Sequence, residues 1–205
     1  MKLYLICSNS LIDNISYNNE NIDYIRSLRL LNSAGEKAIN EYCQKTDFSN
    51  VFAIYSSFYA ASIDTAKYFA EKYDLVIKLD QRLNDCKVGN LANKSMTFLS
   101  NLQEHDFSYK ASGGESLLDV GYRMDSFIKS VNEDALVFTH KRCVLGLLLK
   151  YCTIGYNLDD ELILEFNKEV VYTKSNKDFD FYEIEINDHK ITKIKNTGSP
   201  RLSGE

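Results

Sequence analysis

Apolar and polar positions along this chain switch repeatedly between a two-residue and a helical period. Residues 2–7 are dense in β-formers, with Leu3, Leu5 and Ile6, and predict a strand that ends in a polar loop over 8–20. Ala34, Ala38 and Ile39 share a helical face, so 33–43 predicts a helix that Ser33 can cap. Residues 51–55 form a short apolar run. Ser56 and Ser57 follow it, and then Ala60, Ala61, Ala66 and Phe69 recur at helical spacing. Residues 75–79 read as a third strand. Between 82 and 112 the periodicity weakens, which predicts a long excursion over one end of a sheet.

From 115 to 131, Leu118, Tyr122, Met124, Phe127, Ile128 and Val131 restore helical spacing, with Ser112 or Gly114 near the cap. Residues 135–139 predict a buried strand and 140–151 the helix behind it. Short strands over 170–173, 179–186 and 191–195 close the chain. No internal repeat or linker interrupts 1–205, which reads as a single domain. Strands alternating with helices predict an α/β three-layer sandwich, with a mostly parallel mixed sheet flanked by helices. Ligand sites in such folds lie at the carboxyl ends of the strands. Those ends carry Cys7-Ser8-Asn9, Ser56-Ser57 and Thr139-His140-Lys141.

The chain is 44% hydrophobic and 26% charged, enough to bury a core and fold unaided. Its 24 basic and 29 acidic residues leave a formal charge of −5, which argues against a duplex nucleic-acid binder. The longest apolar stretches fall far short of a spanning helix, and no membrane or targeting signal is read. Five cysteines (Cys7, Cys43, Cys86, Cys143, Cys152) without a CxxC pair predict neither a disulfide scaffold nor a zinc site. A reducing cytoplasm is the expected location, with no metal and no cofactor.

Several segments, in order, carry a resemblance. Residues 1–14 (MKLYLICSNSLIDN) resemble an opening strand followed by Arg-His-Gly and then an Asn, here Asn14. Residues 31–35 resemble a Leu-Thr-x-x-Gly helix entry, and 55–66 (YSSFYAASIDTA) a Ser-Ser-Pro-Leu-x-Arg-Ala-x-x-Thr-Ala segment. Residues 82–89 (RLNDCKVG) match a region carrying an acid four residues before a Gly, 113–123 (GGESLLDVGYR) a Gly-Gly-Glu-Ser helix start, and 135–140 (ALVFTH) a strand ending in His. Together these resemble the histidine phosphatase superfamily, also called phosphoglycerate mutase-like.

The resemblance implies a covalent relay. The first-motif His attacks phosphorus, two Arg and a second His surround the phosphate, and a carboxylic acid protonates the leaving oxygen. Carried over position by position, the clamping Arg is Cys7, the nucleophile is Ser8 and the second Arg is Ala61. His140 survives, and Asp85 stands where the acid belongs. Losing a covalent nucleophile costs about 10⁶ in turnover, or about 8 kcal/mol of barrier. Each lost Arg contact removes roughly 1.5–3 kcal/mol of charge-assisted bonding.

The expected protein is therefore a pseudoenzyme whose residual anion or phosphoester pocket collects around His140, with Ser57 and Lys141 as further pocket positions. Lys141 and Arg142 open a helix, where cations are disfavoured, and that conflict points to returned pocket charge. The expected ligand is phosphate or a phosphorylated small molecule. Two other readings remain: a phosphomonoesterase with altered machinery using Cys7 or a His140-activated water, and a protein-interaction module with a protein partner. His105 and His189 are given no role.

Overall fold

The computed structural model describes residues 1–8, 22–92, 94–174 and 179–198. Its main sheet has the strand order β3-β2-β4-β1-β8-β9, built from β1 (Lys2–Ser8), β2 (Ala53–Ser56), β3 (Ile77–Leu79), β4 (Ala135–Thr139), β8 (Phe179–Asn187) and β9 (Lys190–Asn196). The β3-β2-β4-β1 half is parallel, and β8 and β9 add antiparallel strands beside β1. The predicted mixed, mostly parallel sheet is what is seen. A second, antiparallel sheet joins β5 (Thr153–Tyr156), β6 (Leu162–Phe166) and β7 (Glu169–Thr173).

The hydrophobic runs explain the layering. All five positions of β4 are buried because each face of the sheet carries helices. Leu3, Leu5, Cys7, Ala135 and Val137 face α5 (Leu117–Ser130) and α6 (Lys141–Tyr151). The alternate residues Ile6, Leu136 and Phe138 pack with Ile39 of α2 (Ser33–Lys45) and Phe69 of α3 (Ala60–Tyr73) on the other face. Helices α5 and α6 cross in close contact at two glycines: a Cβ added to Gly121 would lie 2.4 Å from the Gly146 carbonyl oxygen. Asp125 of α5 bonds Lys129 Nζ at 2.8 Å and Lys150 Nζ at 2.6 Å, and takes the Tyr151 hydroxyl, which pins the pair together.

Several boundaries differ from the sequence reading. Asn32, not Ser33, caps α2, because its Oδ1 accepts the Gly35 N–H at 2.8 Å and so places the cap one residue earlier. Ser116 caps α5 through a reciprocal capping box with Asp119, which displaces Ser112 and Gly114 from that role. The excursion over 82–112 contains α4 (Met96–His105), capped by Ser95. It escapes the periodicity because it buries only Leu99 and Gln103, too narrow a stripe to read. Strands β5 and β6 are also absent from the sequence reading; β5 is exposed along its whole length and shows no alternation. The remaining helix, α1 (Ile22–Ser27), directly precedes the exposed Leu28 and Leu30. Most of the predicted loop over 8–20 lies outside the described residues.

Candidate functional site

The carboxyl ends of β1, β2 and β4 lie side by side, since Cys7 pairs with Thr139 and Ser56 with Phe138. His140 follows β4 as the N-cap of α6. Its Nε2 lies 3.0 Å from Ser57 Oγ and 3.4 Å from Ser62 Oγ, and the Tyr59 ring meets the imidazole edge-on at 4.7 Å. The Tyr59 N–H donates to Ser57 Oγ at 3.2 Å, which leaves the hydroxyl proton for Nε2. Burial pushes the His140 pKa down to about 4; Arg26 and Arg123 push the same way, against Asp85. At neutral pH the imidazole is uncharged.

Asp85 is the second centre of the site. Its carboxylate forms an ion pair with Arg26 Nη2 and accepts the Cys86 N–H at 2.8 Å. Arg26 also donates from Nη1 to the Cys86 carbonyl at 3.0 Å and to Asp23 at 3.1 Å. Asp23 in turn accepts the N–H groups of Val88 and Gly89. Burial alone would raise the Asp85 pKa, but Arg26 first, then His140 and Arg142, hold it below the usual carboxylate value. The side chain is therefore an ionised, paired carboxylate, with no proton in hand for a leaving group.

The other predicted positions separate clearly. Cys7 is fully buried and packs in the α5–α6 core beside Cys86 and Cys143. Ala61 is buried in the opposite core layer, and its carbonyl accepts the Thr65 hydroxyl at 2.7 Å. Ser57 is fully buried and touches His140. Lys141 is partly exposed on the first turn of α6. Asn14 lies outside the described residues, as does the side chain of Ser8. The structure thus brings Ser57, His140 and Asp85 into one cluster, while Cys7 and Ala61 serve the core.

Sequence reasoning misses Arg26, Tyr59, Ser62 and Asn84. Arg26 meets Asp85 across 59 positions, a pairing that no local pattern announces. Asn84 Oδ1 receives the Phe58 N–H at 2.8 Å and ties the loop after β2 to the Asp85 segment. A cavity of about 380 Å³ opens beside these residues, lined by Gln81, Arg82, Asn84, Asp85, Lys87, Glu115 and Arg123. Within it, Glu115 holds Arg123 through two bonds of 2.8 and 3.1 Å.

The site offers polar donors, a neutral imidazole and a paired carboxylate. Ser57 and His140 have nucleophile–base geometry, yet the hydroxyl is fully buried and a base with pKa about 4 drives little proton transfer. The pair orients His140.

The family model "Histidine phosphatase superfamily (branch 1)" matches residues 18–173. A mycobacterial glucosyl-3-phosphoglycerate phosphatase in its native form superposes with a TM-score of 0.64 at 17% identity, covering 98% of this chain and 99% of that one. The same mycobacterial enzyme complexed with inorganic phosphate gives 0.66 at 14%, covering 98% and 97%. The protein TTHB049 from Thermus thermophilus gives 0.55 at 15%, covering 85% and 99%. At these identities the likeness is one of fold. No curated protein matches the chain.

Proposed function

The chain belongs to the histidine phosphatase superfamily, and from that premise we propose that it binds a phosphate-type oxyanion at the His140 pocket without running the phosphohistidine relay. The observation that carries this reading is the fate of the two clamp positions. Cys7 and Ala61, matched to the family's arginines, are absorbed into opposite core layers. A guanidinium cannot return to either position without opening the core. Position 8 offers a hydroxyl where the relay needs an imidazole, and Asp85 is held ionised by Arg26.

Retention of the pocket is supported by what the cluster keeps. His140 is oriented by Ser57 and Ser62, and it stands as the N-cap of α6 at the carboxyl end of β4. One fold neighbour is a phosphatase complexed with inorganic phosphate, which fits a ligand of that class. The test pairs p-nitrophenyl phosphate turnover with calorimetric titration of inorganic phosphate, using metal-free protein purified to homogeneity. Saturable phosphate binding with no turnover above background supports the reading. Family-typical turnover, or no binding at all, overturns it.

The Cys7 phosphomonoesterase reading finds no support in the geometry. A thiol sealed in the core lacks access to substrate.

A further inference from the structure

Arg142 is the second residue of α6 and follows His140 by two positions. Both terminal guanidinium nitrogens, Nη1 and Nη2, are sealed from solvent and meet no hydrogen-bond partner among the described residues. A buried guanidinium stripped of water and left unpaired is a costly arrangement, tolerated where a ligand completes it. The neighbouring charges show why no internal anion does so. Asp85 is engaged by Arg26 and by the Cys86 N–H. Asp23 is engaged by Arg26 and two backbone donors, and Glu115 is engaged by Arg123. His140 is neutral and adds no negative charge. Arg26 thus takes up two of these carboxylates and Arg123 the third, so none is left to hydrogen-bond Arg142.

We infer that Arg142 is the anion-binding cation of this pocket, and that its sealed Nη1 and Nη2 receive two oxygens of a tetrahedral phosphoryl group. A planar guanidinium fork suits that bidentate contact better than an ammonium would. The charge that the family places on its first strand and on the helix after the second thus enters from the start of α6 instead. His140 and Arg142 are each partly exposed as residues, so a small ligand can reach this end of the sheet, and contact with the sealed Nη1 and Nη2 then requires the guanidinium to turn towards it. The inference rests on the pocket reading above and assigns the residue that makes it work.

The experiment titrates inorganic phosphate and phenyl phosphate into wild type, Arg142→Met and a surface-charge control, Lys67→Met. Calorimetry reads affinity, and thermal unfolding is followed with and without phosphate. Arg142→Met should weaken binding roughly 10- to 100-fold, while Lys67→Met leaves it unchanged. In phosphate-free buffer Arg142→Met should unfold at a higher temperature than wild type, because an unpaired buried cation has gone. A merely structural arginine would give a lower one. Tighter binding of phenyl phosphate identifies the ligand as an ester, and preference for the free ion identifies phosphate itself. Unchanged affinity in Arg142→Met, or a lowered phosphate-free melting temperature, overturns the inference while wild-type binding keeps the pocket reading. Absence of binding in wild type overturns both.

Discussion

The neutral state of His140 makes a quantitative prediction about acid stability. Burial lowers its pKa from the ordinary 6.5 to about 4, so between those values the unfolded chain binds a proton that the folded chain refuses. Stability must then fall as pH drops through this window, and the whole contribution is present only above about pH 6.5. Integrating the two titrations from pH 8 to pH 5 gives a loss of about 2 kcal/mol, which corresponds to about 4–8 °C in Tm for a chain of this size. Carboxylates add little above pH 5, since Asp85, facing His140, is itself held low. His105 and His189 are unchanged between wild type and the test variant. The assay is urea unfolding at constant ionic strength in phosphate-free buffers at pH 8 and 5, on wild type and His140→Asn. Wild type should lose about 2 kcal/mol and the variant should lose little of it. Equal losses in the two proteins would refute the claim that the imidazole is held neutral.

Other expectations follow from the same contacts. Asp85→Asn removes the carboxylate that pairs with Arg26 and offsets the nearby charge of Arg142, so it should cost about 3–5 kcal/mol in urea unfolding, and added phosphate should recover part of that. The Asp125 carboxyl, 7% exposed, is held at about 2 by Lys129, Lys150 and Tyr151 against its own burial. Its contribution of about 2 kcal/mol should be lost as pH falls from about 4 towards 2, and Asp125→Asn should flatten that limb of the pH–stability curve. Gly121→Ala puts a methyl group against the Gly146 carbonyl and should cost about 1–3 kcal/mol by thermal unfolding, although alanine favours helices. Cys7, Cys43, Cys86 and Cys143 are buried, so native protein should react slowly with Ellman's reagent and release all five thiols only in denaturant.

What can be read from the sequence follows the strength of the local signal. Strand β4 and helices α5 and α6 are legible because apolar residues fill consecutive or helically spaced positions, and the structure buries them accordingly. The exposed β5 and the narrow buried stripe of α4 carry no such signal. Within the site, His140 and Asp85 can be placed because each occupies a position in a recognisable segment. The Arg26–Asp85 pair cannot, because it depends on how α1 packs against a distant turn. Arg142 is suspect for a local reason, a cation at the start of a helix. Only packing shows that its guanidinium turns inward and meets no partner among the described residues, whereas nothing distinguishes the neighbouring Lys141 in the same way.

The most direct test of the whole account is a search for covalent phosphate on the protein. Wild type is mixed with ³²P-labelled phosphomonoester, quenched in alkali to preserve phosphohistidine, and compared with Ser8→His prepared identically. The account predicts no alkali-stable, acid-labile label on wild type, together with reversible phosphate binding at equilibrium. Stoichiometric acid-labile label on wild type that turns over and disappears in His140→Ala would contradict it.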